Sequence, residues 1–241
     1  MEKIKLLKYM IFEKLEQKIK LFENLILLKE IYQNWENYFK NIREKFNLNC
    51  PDFCNQCCDT DIKNIQSTIF EMLPAAILIF EEIFENQNNY KNFFKKNFEN
   101  INLFLFEKNT NLNPNLNKSL ERFPDLERCL FYNKTENNWG CSIYEIRPSI
   151  CRLFGFSFKK DKNDKLIFSP CKVLKEKNSN KYLLSKNTIE KKYPIYDTFY
   201  QNILNLSPNL TNKLFNINIA FLKAFEIVYL KFNYYNFEKI S

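Results

Sequence analysis

The sequence predicts a mainly α-helical protein with a small β-hairpin element, in which helices flank an irregular, cysteine-rich region. Apolar residues recur at three- and four-residue steps in both terminal stretches, which is the pattern of amphipathic helices. All eight cysteines lie between residues 50 and 171, and only two glycines occur among the 241 residues. We therefore divide the chain into an N-terminal helical segment (1–49), a cysteine-cluster domain (50–175) and a C-terminal helical segment (176–241).

The composition is that of a globular protein, with 45% hydrophobic and 27% charged residues. The net charge of +8 comes mostly from lysines interleaved with glutamates. We interpret it as a solvated surface and expect no nucleic-acid partner. Charged residues interrupt the apolar N-terminal stretch, and the longest apolar runs, Leu25–Leu28 and Ala75–Phe80, are too short to cross a bilayer. We therefore expect a cytoplasmic protein with no membrane partner.

The first region, residues 4–47, is predicted to be helical, as one long element or as two. No Gly or Pro interrupts its apolar periodicity. Pro51 ends the region, because a proline biases the preceding Cys50 away from the α-helical conformation. A tight cysteine loop then runs to Cys58. We expect the helical region to serve as a core-facing scaffold.

Helix-start signals follow the cysteine loop. Thr68 and Glu71 form a T-x-x-E capping box, which predicts the start of a helix. Pro74 suits the first turn of a following helix that runs through Ile83. A further amphipathic helix is predicted around residues 89–106, before an Asn-rich loop.

Two short β-pairs are predicted in the second half of the chain. Cys129–Tyr132 and Cys141–Tyr144 form the strands of a hairpin, joined by an Asn-Asn-Trp-Gly turn. A second pair combines residues 154–158 with Leu166–Phe168. The remaining residues, 181–236, are predicted to be mostly helical from their periodicity.

The cysteines are the strongest functional signal in the sequence. Four of them lie within nine residues with the spacing C-x3-C-x2-C-C, and a CxxC step lets two thiolates reach one metal centre. In a reducing cytoplasm, metal ligation explains eight cysteines better than disulfides do. The candidate metal ligands are Cys50, Cys54, Cys57, Cys58, Cys129, Cys141, Cys151 and Cys171.

The pattern favours an iron–sulfur cluster, with zinc as the alternative. The chain contains no histidine, which excludes mixed Cys/His zinc sites and Rieske-type centres. Only one CxxC step occurs, whereas a zinc ribbon uses two. A shared centre would bring the sulfur of Cys151 within several Å of the Cys54–Cys58 loop, and the alternative is a local site built from Cys129, Cys141 and Cys151.

The segment from Arg147 to Arg152 is predicted to begin a short helix beside this centre. Pro148 pre-sets φ for the first helical position, so Cys151 lies in the first turn, where free backbone N–H groups favour a thiolate. Arg147 and Arg152 are the candidate cofactor-binding residues, because their charge would compensate thiolates. The alternative is ordinary surface pairing, for example with Glu145.

These residues carry a resemblance to a known family. The Cys50–Cys58 loop and the string C-x-I-Y-E-x-R-P-x-x-C-R-x-F over residues 141–154 resemble the YkgJ-like cysteine-cluster family, a CxxCxxCC domain to which zinc or iron chelation is ascribed. The resemblance covers about residues 50–171. It implies that every cysteine from Cys54 onward matches a family cysteine. The first spacing here is x3 rather than x2, which leaves the role of Cys50 open.

Three functions are compatible with these observations. The first is a metal- or cluster-binding protein. The second follows from the resemblance, because flagellin lysine N-methylases look like relatives of the family, and it implies a methyltransferase acting on a protein substrate. The third is a structural zinc module that presents helices to a protein or nucleic acid. Whether the chain is an enzyme is open, and no catalytic residue is assigned: it lacks a histidine base and a Gly-rich nucleotide loop.

Overall fold

The computed structural model of the chain describes residues 22, 24–46, 65–84, 129–132, 140–163, 166–168, 171, 174 and 196–238. Within these residues helices dominate and two short antiparallel strand pairs accompany them, which confirms the predicted mainly α class with a small β element. Several predicted features lie outside the described residues: the helix over 4–21, the Cys50–Cys58 loop, the helix around 89–106 with the Asn-rich loop after it, most of the Asn-Asn-Trp-Gly turn, and the start of the C-terminal helical region at 181–195.

Helix α1, Leu25–Phe46, begins directly after a residue in the left-handed backbone region. Asn24 has φ of 69°, a conformation that asparagine tolerates better than most residues, and its side-chain amide donates to the carbonyl of Leu206. A helix cannot pass through that conformation, so a single element over 4–47 is excluded. The buried positions of α1 follow the predicted three- and four-residue steps: Leu25, Leu28, Tyr32, Trp35 and Phe39.

Helix α2, Ile69–Phe84, follows the two-residue strand β1, Gln66–Ser67, and its capping box is confirmed. The Glu71 backbone N–H donates to Thr68 Oγ1 at 3.2 Å, and the Thr68 backbone N–H donates to Glu71 Oε2 at 3.5 Å. Each side chain thus satisfies a backbone donor at the helix start.

Pro74 lies inside α2, so the predicted start of a second helix at this residue is wrong. A proline in a helix interior removes one backbone hydrogen bond and costs about 3 kcal/mol. All residues from 70 to 77 are buried, however, and each large apolar side chain buried there contributes about 1.5–3 kcal/mol. Burial of Phe70, Leu73 and Ile77 therefore outweighs the proline, and the helix continues through it.

The C-terminal part consists of α4 (Tyr196–Leu204), α5 (Pro208–Thr211), β4 (Phe215–Asn216) and α6 (Ile217–Glu238), labelled in chain order. Helix α6 packs along α2, where the rings of Phe80 and Phe232 stack with centroids 4.8 Å apart.

None of the helices in the described part of the chain is both long enough and apolar enough to span a membrane.

Strands β1 and β4 pair antiparallel, with Gln66 opposite Asn216 and Ser67 opposite Phe215. The Ile217 backbone N–H extends the pairing by donating to the Ile65 carbonyl at 2.9 Å. This pair was not predicted, because two-residue strands leave no alternation in the sequence. It joins the start of α2 to the start of α6.

The predicted hairpin of 129–132 with 141–144 is reduced to one bridge, between Tyr132 and Cys141. Residues 129–132 form a turn, in which the Tyr132 N–H donates to the Cys129 carbonyl at 3.0 Å. Tyr144–Ile146 is a 3₁₀ helix, so the strand prediction for 141–144 is wrong. Both Ile143 and Ile146 are buried, and a three-residue step places them on one face, as a strand would not.

The second β-pair forms with Leu166–Phe168 as predicted, but its first strand lies further along the chain and shares only Phe158 with the predicted 154–158. Strands β2 (Phe158–Lys160) and β3 (Leu166–Phe168) pair antiparallel, and Phe158 lies opposite Phe168. The predicted strand began at residue 154. Residues 154–156 instead close the preceding helix, because Gly155 has φ of 82° and the Phe156 N–H donates to the Leu153 carbonyl at 3.0 Å.

Candidate metal centre

The short helix α3, Ser149–Leu153, carries Cys151 in its first turn, as predicted. Pro148 is its N-cap, one position earlier than predicted. The backbone N–H groups of Cys151 and Arg152 both donate to the Pro148 carbonyl, at 3.0 and 3.2 Å. The Ser149 N–H donates to Glu71 Oε1 at 2.7 Å. The prediction of free N–H groups for a thiolate is therefore wrong for these three residues, and a glutamate accepts from the helix start instead.

Glu71 is a buried carboxylate that connects three helices. Besides the Ser149 N–H of α3, it accepts the Tyr32 hydroxyl of α1 at 3.0 Å and the Thr68 hydroxyl at 3.1 Å. Burial, followed by the Glu71 charge, raises the pKa of Tyr32 well above its ordinary value, so the phenol stays protonated and donates. The carboxylate thus has the several donors that a buried charge requires.

Two of the four described cysteines, Cys129 and Cys141, are located at the 129–132 turn. The bridge to Tyr132 places the backbone of Cys141 beside this turn, and Cys129 begins it. The turn is tied to α6, because the Leu130 N–H donates to Asn218 Oδ1 at 2.9 Å. Cys129 is buried and Cys141 is partly exposed.

The other two described cysteines are Cys151 and Cys171. Gly155, shortly after Cys151 in the chain, lies against Cys171. A Cβ on Gly155 would lie 3.2 Å from Cys171 Cβ and 3.3 Å from its backbone nitrogen. The positive φ and this close approach both require glycine. Gly155, four residues after Cys151, therefore packs directly against Cys171, and both cysteines are partly exposed.

Three arginines surround one carboxylate next to these cysteines. Arg152 Nη1 lies 2.9 Å from Glu36 Oε1, Arg147 Nη2 lies 3.9 Å from the same oxygen, and Arg43 Nη2 lies 4.0 Å from Oε2. We call Arg43, Arg147 and Arg152 the arginine cluster. Each stacks on an aromatic ring, and the guanidinium carbons lie 4.8, 3.9 and 4.3 Å from the ring centroids of Phe156, Tyr144 and Tyr32, respectively.

Arg152 is held on every side. Its Nε donates to the Arg147 carbonyl at 2.8 Å, its Nη2 donates to the Glu145 carbonyl, and its side chain is only 4% exposed. The surface-pairing interpretation is therefore wrong for Arg152, whose carboxylate partner is Glu36 of α1. Burial, and next the charge of Arg147, lower its pKa.

The Cys141 and Cys151 thiols interact electrostatically with the Arg147 guanidinium. Burial lowers the pKa of Arg147, but Tyr144, Glu36, Cys151 and Cys141 raise it, and the outcome is a pKa above the ordinary value. Negative charge on the Cys141 and Cys151 sulfurs would therefore be stabilised by this guanidinium.

Within the described residues, the charges of the arginine cluster and its carboxylate partner Glu36 do not cancel. The arginine cluster contributes three positive charges and Glu36 one negative charge, which leaves an excess of two. Glu71, bonded to the Tyr32 hydroxyl, still leaves an excess of one. A metal centre held by four thiolates carries about two negative charges. The donor chemistry and the charge of the described residues thus fit such a centre.

The described cysteines do not form that centre alone. No group of three Cys, Asp or Glu side chains in the described part of the chain could hold a metal ion, so the local site of Cys129, Cys141 and Cys151 is not seen there. Cys50, Cys54, Cys57 and Cys58 lie outside the described residues. The predicted approach of Cys151 to their loop stays a prediction.

Sequence reasoning missed Glu36, Arg43 and Tyr32 as part of this region. A signal was present, since the three residues recur at four- and seven-residue steps and share one face of α1 with buried Phe39. Charged residues on a core-facing stripe indicate a buried polar partner. Which partner they meet depends on the packing of α1 against α3, which no local pattern contains.

Comparison with known proteins agrees with the cysteine pattern. No curated protein and no solved structure matches the chain. A family model does match residues 49–172, just over half of the chain. This span begins one residue before Cys50 and ends one residue after Cys171, so it contains all eight cysteines and the Arg147–Arg152 segment. The chain belongs to the CxxCxxCC family, whose description is "Putative zinc- or iron-chelating domain".

Proposed function

We propose that this chain is a cytoplasmic protein that holds an iron–sulfur cluster, with zinc as the alternative, in a centre next to the arginine cluster. Cys141 and Cys151 supply thiolates from the described part. The Cys54–Cys58 loop supplies the others, and Cys50, Cys129 and Cys171 are further candidates. In this proposal residues 50–175 form the metal-binding domain between helical segments 1–49 and 176–241.

The excess positive charge beside Cys141 and Cys151 is the observation that carries the proposal. Each buried ion costs several kcal/mol unless an opposite charge or hydrogen bonds compensate it. Glu36 is half-exposed and shared among three guanidinium groups, so it compensates them incompletely. A thiolate centre supplies the missing negative charge where the arginines already lie.

The choice of iron–sulfur over zinc rests on the ligand pattern. The absence of histidine leaves thiolates as the soft ligands, and the single CxxC step with dispersed further cysteines suits a cluster better than a zinc ribbon. A bound cluster supplies one-electron redox chemistry, whereas zinc would be structural. In either case Glu71 and Tyr32 hold α3, and the arginine cluster balances the charge of the thiolates.

Anaerobic purification followed by iron, zinc and sulfide analysis and visible absorption tests the proposal. We expect iron and sulfide in comparable amounts and a broad visible absorption. The variant Cys151→Ala should lose metal, whereas Phe154→Ala, which changes an exposed side chain three residues later, should keep it. Purified protein with neither iron nor zinc overturns the proposal, and zinc without sulfide selects the alternative metal.

A further inference from the structure

Arg147 and Arg152 differ in the hydrogen bonding of their buried Nε–H groups. The Nε of Arg147 is inaccessible to solvent and has no hydrogen-bond acceptor among the described residues. Arg152, in contrast, donates from its Nε and from both terminal nitrogens. A buried donor that lacks an acceptor costs about 1–3 kcal/mol, so such groups are rare in folded proteins.

The position of Arg147 indicates which acceptor it meets. In the sequence, Arg147 lies between Cys141 and Cys151. Its guanidinium stacks on the Tyr144 ring, and its backbone carbonyl accepts a hydrogen bond from Arg152 Nε. Its side chain is only 12% exposed, and the Cys141 and Cys151 sulfurs are both near enough to act on its charge. A buried donor on which two candidate ligand sulfurs act can bond one of those sulfurs.

We propose that Arg147 donates its Nε–H to a metal-bound cysteine sulfur, and is thus the residue that tunes the proposed metal centre. This inference rests on the proposed function. Such outer-shell donors orient ligands and draw electron density from sulfur, which stabilises the thiolate and the reduced state of a cluster. Arg152 is then a positioning residue, since its donors are used in holding the Arg147 backbone and α3.

Arg43 provides a matched control. It contacts the same carboxylate, and its Nε also has no acceptor in the described part of the chain. However, its side chain is 27% exposed, and it lies on α1 over the Phe156 ring, outside the 140–156 segment that carries Cys141 and Cys151. Arg43→Gln removes the same charge and the same contact with Glu36 as Arg147→Gln.

The test uses Co²⁺ as a probe, added to the metal-free full-length chain, because Co²⁺–thiolate absorption reports binding and sulfur electronics together. We expect Arg147→Gln to weaken Co²⁺ binding about 10- to 100-fold, the range found for outer-shell partners, and to shift the sulfur-to-cobalt absorption to lower energy. Arg43→Gln also removes one charge of the arginine cluster, so it should weaken Co²⁺ binding, but several-fold less than Arg147→Gln, because Arg43 is more exposed. It should leave the absorption energy unchanged.

Arg147→Lys separates the hydrogen bond from the charge and serves if Arg147→Gln does not fold. It keeps the positive charge but lacks the guanidinium fork, so we expect an intermediate affinity and a shifted absorption. An unshifted absorption in Arg147→Lys, or equal effects of Arg147→Gln and Arg43→Gln, overturns the inference while leaving the metal site intact. Wild-type protein that binds no Co²⁺ instead overturns the proposed function.

Discussion

Helices α2 and α6 and the segment 140–156 are held together by different forces. The helix pair buries apolar side chains along its length, with stacked rings such as Phe80 and Phe232. The 140–156 segment has only short helices and also buries Ile143, Ile146 and Leu153. In addition, it is fixed by Glu71, Glu36 and two buried arginines. Apolar burial is non-directional and tolerates change, whereas a buried polar network fails when one member is removed. The second region is therefore the more sensitive to substitution and to metal.

The largest expected effect is that of metal removal. Chelation, or replacing Cys54 and Cys57 with Ser, should increase hydrogen exchange across 140–171 by orders of magnitude, because metal binding to its cysteines would supply folding free energy to this stretch. Exchange in α2 and α6 should change little. Equal protection of 140–171 with and without metal would contradict the proposed role of the cysteines.

Glu71→Ala comes next, with a loss of about 3–5 kcal/mol in the free energy of unfolding, because four donors lose their buried acceptor. Urea denaturation measures the loss. Glu30→Ala, which removes an exposed charge from α1, should change stability by no more than about 0.5 kcal/mol. A loss in Glu71→Ala as small as that of the control would show that the network is not stabilising.

Gly155→Ala should cost about 2–3 kcal/mol. The added methyl group meets Cys171 at 3.2 Å and the backbone must keep a positive φ. Thermal unfolding of this variant beside Phe154→Ala, an exposed neighbour, isolates the effect. If the two variants unfold at the same temperature, the packing of Cys171 against α3 is not tight.

Asn218→Ala, the smallest effect, should cost about 1–2 kcal/mol, since the buried Leu130 N–H loses its acceptor. This bond links the turn that begins at Cys129 to α6, so the variant tests how far the two regions depend on one another. Hydrogen exchange at Leu130 should rise while that of α2 stays constant. Asn209→Ala, at an exposed position of α5, is the control and should leave both unchanged.

The sequence by itself determined the features that depend on neighbours in the chain. The apolar steps of α1, the Thr68–Glu71 capping box, the pairing of β2 with β3 and the helix at Cys151 all arise from residues a few positions apart. The cysteine spacing likewise identified the family, because ligands of one loop must follow one another closely.

Only the tertiary structure decided the features that depend on distant partners. Pro74 stays within α2 because burial along the whole helix outweighs its local cost. A 3₁₀ helix forms in place of the predicted second strand of the hairpin, because Ile143 and Ile146 are both buried in the core on one face of the segment. The ion pairs of Glu36 with Arg147 and Arg152 join residues more than a hundred positions apart. The charged stripe on α1 indicates a buried polar partner, but only the packing of distant segments decides which partner that is.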